Sequence, residues 1–266
     1  MRSQIHIHRQ GAGPVLVFLH GWTMAGDIFA DAFARLGGQF TCLAPDLPGH
    51  GRSAGFSATV EGAAEMLDTL LREDDLREVT LVGWSLGALV GWEYLARFGD
   101  TRVRAMVSID MSPRPLNGDD WDLGLSGQTA DEALAKTGWF RDDWPRAARA
   151  IARTMFAGTG GAPGLSVAQA EARINAQPAP VMAEFWESLV ACDHRTCVRA
   201  LSVPLLAIHG AQSRVYPPQT ADWLARNAPK GTALVLPGAG HAPILEQPGP
   251  SCAAIARFAT NPVIAL

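Results

Sequence analysis

The run Gly83-Trp84-Ser85-Leu86-Gly87 reads G-x-S-x-G and directly follows the apolar stretch Val79-Thr80-Leu81-Val82. A strand that turns sharply into a helix at such a pentapeptide presents its serine hydroxyl as a nucleophile. Glycine is required at 83 and 87 because a side chain there would collide with neighbouring backbone. The next run, Ala88 to Leu95, has the composition of a buried helix, which completes the strand–turn–helix context. The bland reading is a glycine-bounded turn with an idle serine. A serine hydroxyl is a poor nucleophile at neutral pH and needs a base beside it. His241 is the leading base, in the segment Pro237-Gly238-Ala239-Gly240-His241-Ala242-Pro243 between the last expected strand and the last expected helix. Its small neighbours let the imidazole approach another loop. His6 and His8 belong to the first strand, and His20 and His50 to glycine-rich loops.

The base in turn needs a buried carboxylate to fix its tautomer and stabilise its charged form. Val107-Ser108-Ile109-Asp110 sets a carboxylate at a strand's C-terminal end, where open α/β sheets form their sites. Asp110 is therefore the expected acid, and Asp193 the second choice. Asp119 and Asp120 read as solvated loop acids. An oxyanion developing on a substrate carbonyl needs preorganised donors. The backbone N–H of Leu86 is one. Trp22 N–H, in the loop His20-Gly21-Trp22-Thr23 after Leu16-Val17-Phe18-Leu19, is the second. The Trp22 indole would also wall a pocket, and His20 reads as a brace for this loop.

These residues need a scaffold, and the chain supplies an α/β one. Residues 4–9 and 14–19 read as an opening antiparallel pair of strands. Further strands are expected at 40–44, 79–83, 104–109, 204–209 and 233–236. Helical patterns fall near 27–37, 58–74, 87–98, 218–227 and 248–259. Short apolar strands alternating with helices indicate a mostly parallel sheet covered on both faces. The alternation breaks after residue 112. Residues 113–200 read as a helical cap inserted into a core made of 1–112 and 201–266. Half of the chain's 8 tryptophans fall in that insertion. Trp144 and Trp186, with Met111 and Trp22, are the expected substrate-lining residues. Gluing the insertion to its base is the alternative role for such aromatics.

The length of 266 residues suits one such domain, and 48% hydrophobic with 18% charged residues is an ordinary globular balance. A net charge of −4 carries no basic bias toward nucleic acid. No apolar stretch approaches the roughly 20 residues of a membrane span. The first residues lack a signal-peptide core, which points to a cytoplasmic protein. Cys42, Cys192, Cys197 and Cys252 read as reduced thiols, with a Cys192–Cys197 disulfide as the alternative. No spacing calls for a metal or an organic cofactor.

Taken in order, His20-Gly21-Trp22, Asp46-Leu47-Pro48-Gly49-His50-Gly51-Arg52-Ser53, Gly83-Trp84-Ser85-Leu86-Gly87 and Gly240-His241 resemble the α/β-hydrolase superfamily. The resemblance runs from the first strands to the final helix. It implies a structural role for the Asp46 segment. Within the superfamily the combination is similar to pimeloyl-acyl-carrier-protein methyl ester esterases. It implies a nucleophile role for Ser85, a base role for His241 and oxyanion roles for Trp22 and Leu86. One departure stands out. Those esterases carry the acid in a G-x-x-D-x-x-V-P loop, and here Gly210-Ala211-Gln212-Ser213-Arg214-Val215-Tyr216-Pro217 has Ser213 at that position. The acid displaced to Asp110 resembles the arrangement in some haloalkane dehalogenases and cofactor-free quinolone dioxygenases. Ester hydrolysis through an acyl-enzyme is the expected reaction. A lactonase, a cofactor-free dioxygenase and a noncatalytic small-molecule receptor are the competitors. Arg146, Arg149 and Arg153 recur on one face of an expected helix. They read either as a docking face for an acyl-carrier protein or as a solvated helix face.

Overall fold

The computed structural model describes residues 4–262. Seven strands form one sheet in the order β1-β3-β2-β4-β5-β6-β7. They are β1 (Ile7–Gln10), β2 (Val15–Leu19), β3 (Thr41–Pro45), β4 (Val79–Trp84), β5 (Val103–Ile109), β6 (Leu205–Gly210) and β7 (Gly231–Leu236). Every pairing is parallel except β1 with β3. β4 and β6 are buried at every position, as expected for strands with both faces covered. The strands expected after the first pair begin and end within about two residues of the observed ones.

The opening pair is different. β1 and β2 are not partners: β1 pairs with β3, Ile7 opposite Pro45, and β2 lies between β3 and β4. Burial explains the arrangement. The run Val15–Leu19 is almost wholly buried and belongs inside the sheet, whereas Ile7–Gln10 is half-buried to exposed and suits an edge. The connection crosses β3's entry at very short range. A Cβ on Gly11 would stand 2.2 Å from the Phe40 carbonyl oxygen, and both Gly11 and Gly13 have positive φ. Only glycine permits that crossing.

The helices around the sheet are α1 (Ala30–Leu36), entered through a 3-10 turn at Gly26–Phe29, α2 (Val60–Glu73) and α3 (Leu86–Phe98). Beyond the sheet's middle come α9 (Gln219–Asn227), α10 (Pro243–Glu246) and α11 (Pro248–Thr260). α1 packs on α11, and α2 on α3. Between β5 and β6 lie α4 (Ala130–Asp142), α5 (Trp144–Met155), α6 (Val167–Asn175), α7 (Ala179–Val190) and α8 (Arg195–Arg199). Their starts are written locally. Thr129 with Glu132 and Ser166 with Gln169 form capping boxes, and Asp143 caps α5 just ahead of Pro145. α4 packs on α7 and α5 on α6, so the insertion has its own helical layer. Among the described residues no helix is long and apolar enough to cross a membrane. All four cysteines are free thiols, Cys192 and Cys197 included.

Candidate active site

The turn after β4 holds Ser85 at φ 52° and ψ −119°, an unfavourable conformation for a non-glycine residue. Two backbone bonds maintain it: Ser85 N–H donates to the Ile109 carbonyl at 2.9 Å, and Ala88 N–H to the Ser85 carbonyl at 2.8 Å. The flanking glycines leave no room for alternatives. A Cβ on Gly83 would lie 2.4 Å from the Gly87 carbonyl oxygen, and one on Gly87 would lie 2.0 Å from that of Leu19. In an exposed helix, glycine to alanine would gain up to about 1 kcal/mol. Gly87→Ala should instead destabilise the protein, because backbone must move to admit the methyl group. Thermal unfolding of the purified variant checks this. A melting temperature equal to or above wild type would contradict the clash.

His241 arrives from the loop between β7 and α10. Its Nε2 stands 2.9 Å from Ser85 Oγ, and its Nδ1 stands 2.8 Å from Asp110 Oδ1. Asp110 directly follows β5, beside the strand that delivers Ser85. It too has a positive φ, 45°, held by its N–H donating to the Ile208 carbonyl at 2.7 Å. Strained backbone of this kind concentrates at functional sites. The Asp110 carboxylate is buried and fully engaged. Besides His241, it accepts from Gly210 N–H at 2.9 Å and from the Ser213 hydroxyl at 2.7 Å. Ser213 thus stands at the side of the acid whose usual position it occupies. His209 is buried with Nδ1 3.7 Å from Asp110 Oδ2, and burial depresses its pKa. It stays neutral and adds no competing cation. Asp193 lies elsewhere, paired with Arg195 at 2.7 Å.

With Asp110 accepting at Nδ1–H, His241 Nε2 is left to accept the Ser85 hydroxyl proton. A hydroxyl, an imidazole and a carboxylate in this order can deliver an oxygen nucleophile at neutral pH. Trp84 steadies the base, its indole N–H donating to the His241 carbonyl at 2.7 Å. Glu246 secures the same loop by accepting from Gly240 N–H and from Ala157 N–H, both at 2.7 Å. The latter bond ties the histidine loop to the segment leaving α5.

Trp22 and Leu86, the two expected oxyanion donors, lie in the loop after β2 and at the first position of α3. Two buried histidines shape the Trp22 loop. His20 Nε2 accepts Leu47 N–H at 2.9 Å and its Nδ1 donates to the Gly21 carbonyl at 2.9 Å. His50 Nε2 accepts Thr23 N–H at 3.1 Å and its Nδ1 donates to the Pro48 carbonyl at 2.9 Å. Each ring is therefore the neutral Nδ1–H tautomer. Burial pushes their pKa values from 6.5 down to about 4 for His20 and about 3 for His50. The sign of the linkage follows. Below pH 6.5 the unfolded chain binds protons that the folded chain refuses, so stability declines as pH falls from 6.5 toward 4. For His20 the effect is on the order of 3 kcal/mol. Melting temperatures from pH 7.5 to 4.5 should fall less steeply in His20→Gln than in wild type, and parallel curves would remove His20 as the cause.

A cavity of about 170 Å³ opens beside Ser85 and His241. Trp22 and Trp186, both expected to line it, do so, joined by Trp139, Phe140, Val215 and Tyr216. Met111 and Trp144 are not among the lining residues. Met111 is wholly buried in the core. Trp144 opens α5 with its indole N–H donating to the Ile174 carbonyl at 3.1 Å, and its ring packs behind those of Trp22 and Phe140. Arg146, Arg149 and Arg153 are exposed along α5, away from the cavity lining, and Arg149 pairs with Glu171 at 3.2 Å. Among the described residues, His6, His8 and Asp46 form the one group with ligand atoms close enough for a metal ion, all within 4.8 Å. Asp46 already accepts from Gly26 N–H and Arg52 N–H. Burial raises its pKa, but those bonds outweigh the effect and hold the carboxyl below its usual range. These contacts make it a loop brace, and it is not among the residues lining the cavity at Ser85.

Residues 14–248 match the α/β-hydrolase fold family. A pimeloyl-[acyl-carrier protein] methyl ester esterase from Edwardsiella ictaluri is 31% identical, over 97% of this chain and 98% of its own. The enzyme of that name from Nitrosomonas europaea is 28% identical, over 92% and 96%. Among solved structures, an esterase from Exiguobacterium antarcticum superposes with a TM-score of 0.89 at 20% identity, covering 97% of this chain and 96% of its own. Sheet order, turn geometry and near full-length similarity agree: this chain belongs to the α/β-hydrolase fold family and is a carboxylic ester hydrolase.

Proposed function

We propose that the protein is a serine carboxylesterase in which Ser85 is the nucleophile, His241 the general base and acid, and Asp110 the orienting carboxylate. The observation that carries this reading is the unbroken hydrogen-bond chain from Ser85 Oγ through both nitrogens of His241 to Asp110. His241 Nε2 takes the hydroxyl proton as Ser85 Oγ bonds to the ester carbonyl carbon. The N–H groups of Trp22 and Leu86 receive the resulting oxyanion. Collapse breaks the bond to the alkoxy oxygen, which leaves with the proton from His241. Water then attacks the acyl-serine with His241 again as base, giving the free acid and restoring Ser85. Asp110 remains ionised throughout and stabilises the imidazolium.

The substrate reading rests on the relatives. The activity for which they are named makes a carrier-bound methyl ester of a dicarboxylic acyl chain the first physiological substrate to test. The exposed row Arg146, Arg149 and Arg153 would be the docking face for an acidic carrier protein. The test of the mechanism is trapping. A p-nitrophenyl ester chain-length series should give a burst of nitrophenol, and after an acid quench intact-protein mass spectrometry should show one acyl adduct that peptide mapping places on Ser85. An acyl mass on any other residue, or turnover with no adduct at early times, would overturn the assignment.

A further inference from the structure

The cavity beside Ser85 is mostly aromatic and aliphatic, and into it α4 sends one lysine, Lys136. The ammonium is half-buried and lies 5.8 Å from the centroid of the Trp186 ring, within cation–π range. Trp186 in turn packs against Trp22 at 5.2 Å between ring centroids. Lys136 is thus two aromatic contacts removed from the oxyanion loop, on the insertion side of the cavity. Its hydrogen bond is to a neutral group, the Gln128 side-chain oxygen at 2.5 Å. Among the described residues no carboxylate stands within ion-pair distance of it. Glu132, one turn earlier on the same helix, is committed to the start of α4, accepting from the Thr129 N–H and hydroxyl. Burial depresses the Lys136 pKa, with Glu132 opposing the shift.

A cation partly withdrawn from water with no ion pair carries a desolvation cost. An apolar side chain of similar length would fill the same space among Trp139, Phe140, Trp186 and Leu189 without that cost. Arg214, the other cation at the cavity, is differently placed. It is exposed, and its guanidinium donates to the carbonyls of Arg153 and Phe156, each at 2.6 Å. Lys136 is therefore the group with charge to offer inside the cavity, and Gln128 is a polar side chain at its elbow.

We infer that Lys136, with Gln128 beside it, receives a carboxylate at the far end of the substrate's acyl chain. The preferred substrates are then free half-esters of short dicarboxylic acids, with one carboxyl esterified at Ser85 and the other ionised at Lys136, rather than carrier-bound esters, whose far carboxyl is an uncharged thioester. This rests on the serine esterase reading for the ester end. It adds the charge at the other end, which neither the fold nor the nucleophile specifies. The aliphatic stretch between the two ends would run past Trp22 and Trp186.

The test reads binding rather than turnover. Monomethyl adipate and methyl hexanoate share the same methyl ester and differ at the far terminus, carboxylate against methyl. Their affinities for Ser85→Ala, which holds esters uncleaved, are measured by calorimetry, then repeated in Ser85→Ala/Lys136→Met and Ser85→Ala/Lys136→Arg. The half-ester should bind at least tenfold more tightly than the neutral ester. Lys136→Met should abolish that preference and Lys136→Arg should retain most of it. Lys136→Gln provides a second neutral variant should the methionine variant melt early. Equal affinities, no binding of the half-ester, or a preference that survives loss of the lysine charge would overturn the proposal. Failure of the serine esterase reading has a separate signature: wild type would hydrolyse neither ester, whatever the binding result.

Discussion

Ser85→Ala should lower kcat on any ester substrate by about 10⁵- to 10⁶-fold while leaving the melting temperature near that of wild type. The two halves of this expectation come from different parts of the structure. The loss is large because, among the described residues, Ser85 Oγ is the group that meets His241 Nε2, at 2.9 Å, and can form an acyl bond. The fold is spared because the strained turn is held by backbone contacts, through the Ile109 carbonyl and the Gly83 and Gly87 approaches, rather than by the hydroxyl. Loss of labelling by a fluorophosphonate probe provides an independent readout. Retained turnover with lost labelling would show that a second nucleophile operates. Retained turnover and labelling would mean that Ser85 is a bystander.

The second large effect concerns the acid. Asp110→Asn should reduce kcat by about 10⁴-fold, because an amide cannot hold the Nδ1–H tautomer or balance an imidazolium. Ser213 makes a sharper experiment possible. Its hydroxyl stands 2.7 Å from Asp110 Oδ1, the same oxygen that meets His241 Nδ1 at 2.8 Å. A carboxylate carried from position 213 can therefore reach the space that Asp110 vacates. Asp110→Ala/Ser213→Asp should recover at least tenfold over Asp110→Ala alone. The recovered activity should fall again at acidic pH as the new carboxylate protonates. No recovery in a folded double variant would mean that the strained end of β5 supplies geometry that the other loop cannot.

Some of this site was legible before any fold was seen. Ser85 stood out because its requirement is local: two glycines and a strand-to-helix switch are visible in five residues. Asp110 emerged from a vacancy, since Ser213 cannot carry charge and the end of the preceding expected strand offers a carboxylate. What resisted reading depends on direction rather than identity. Met111 follows Asp110 immediately, yet points into the core. Trp144 has the right chemistry for a pocket wall, but its place at the start of α5 sends its indole to Ile174. Lys136 was invisible for the opposite reason. A lone lysine on a helix with charged neighbours reads as solvent-facing, and only the packing of α4 on α7 turns it inward. The order of the first strands also lay beyond local pattern, because an edge strand and its neighbour are distinguished by what covers them.

The adjacency of β4 and β5 has one more implication. Gly83 pairs with Ser108 and Trp84 with Ile109, so Ser85 and Asp110 emerge side by side from consecutive rungs of one ladder. The strand ends that carry them keep the ~4.8 Å spacing of neighbouring strands while the sheet exists. Ser85 and Asp110 follow their strands directly, whereas His241 lies in the loop between β7 and α10. On warming, the alignment of the His241 loop with these two strand ends should therefore be lost before the ladder between them.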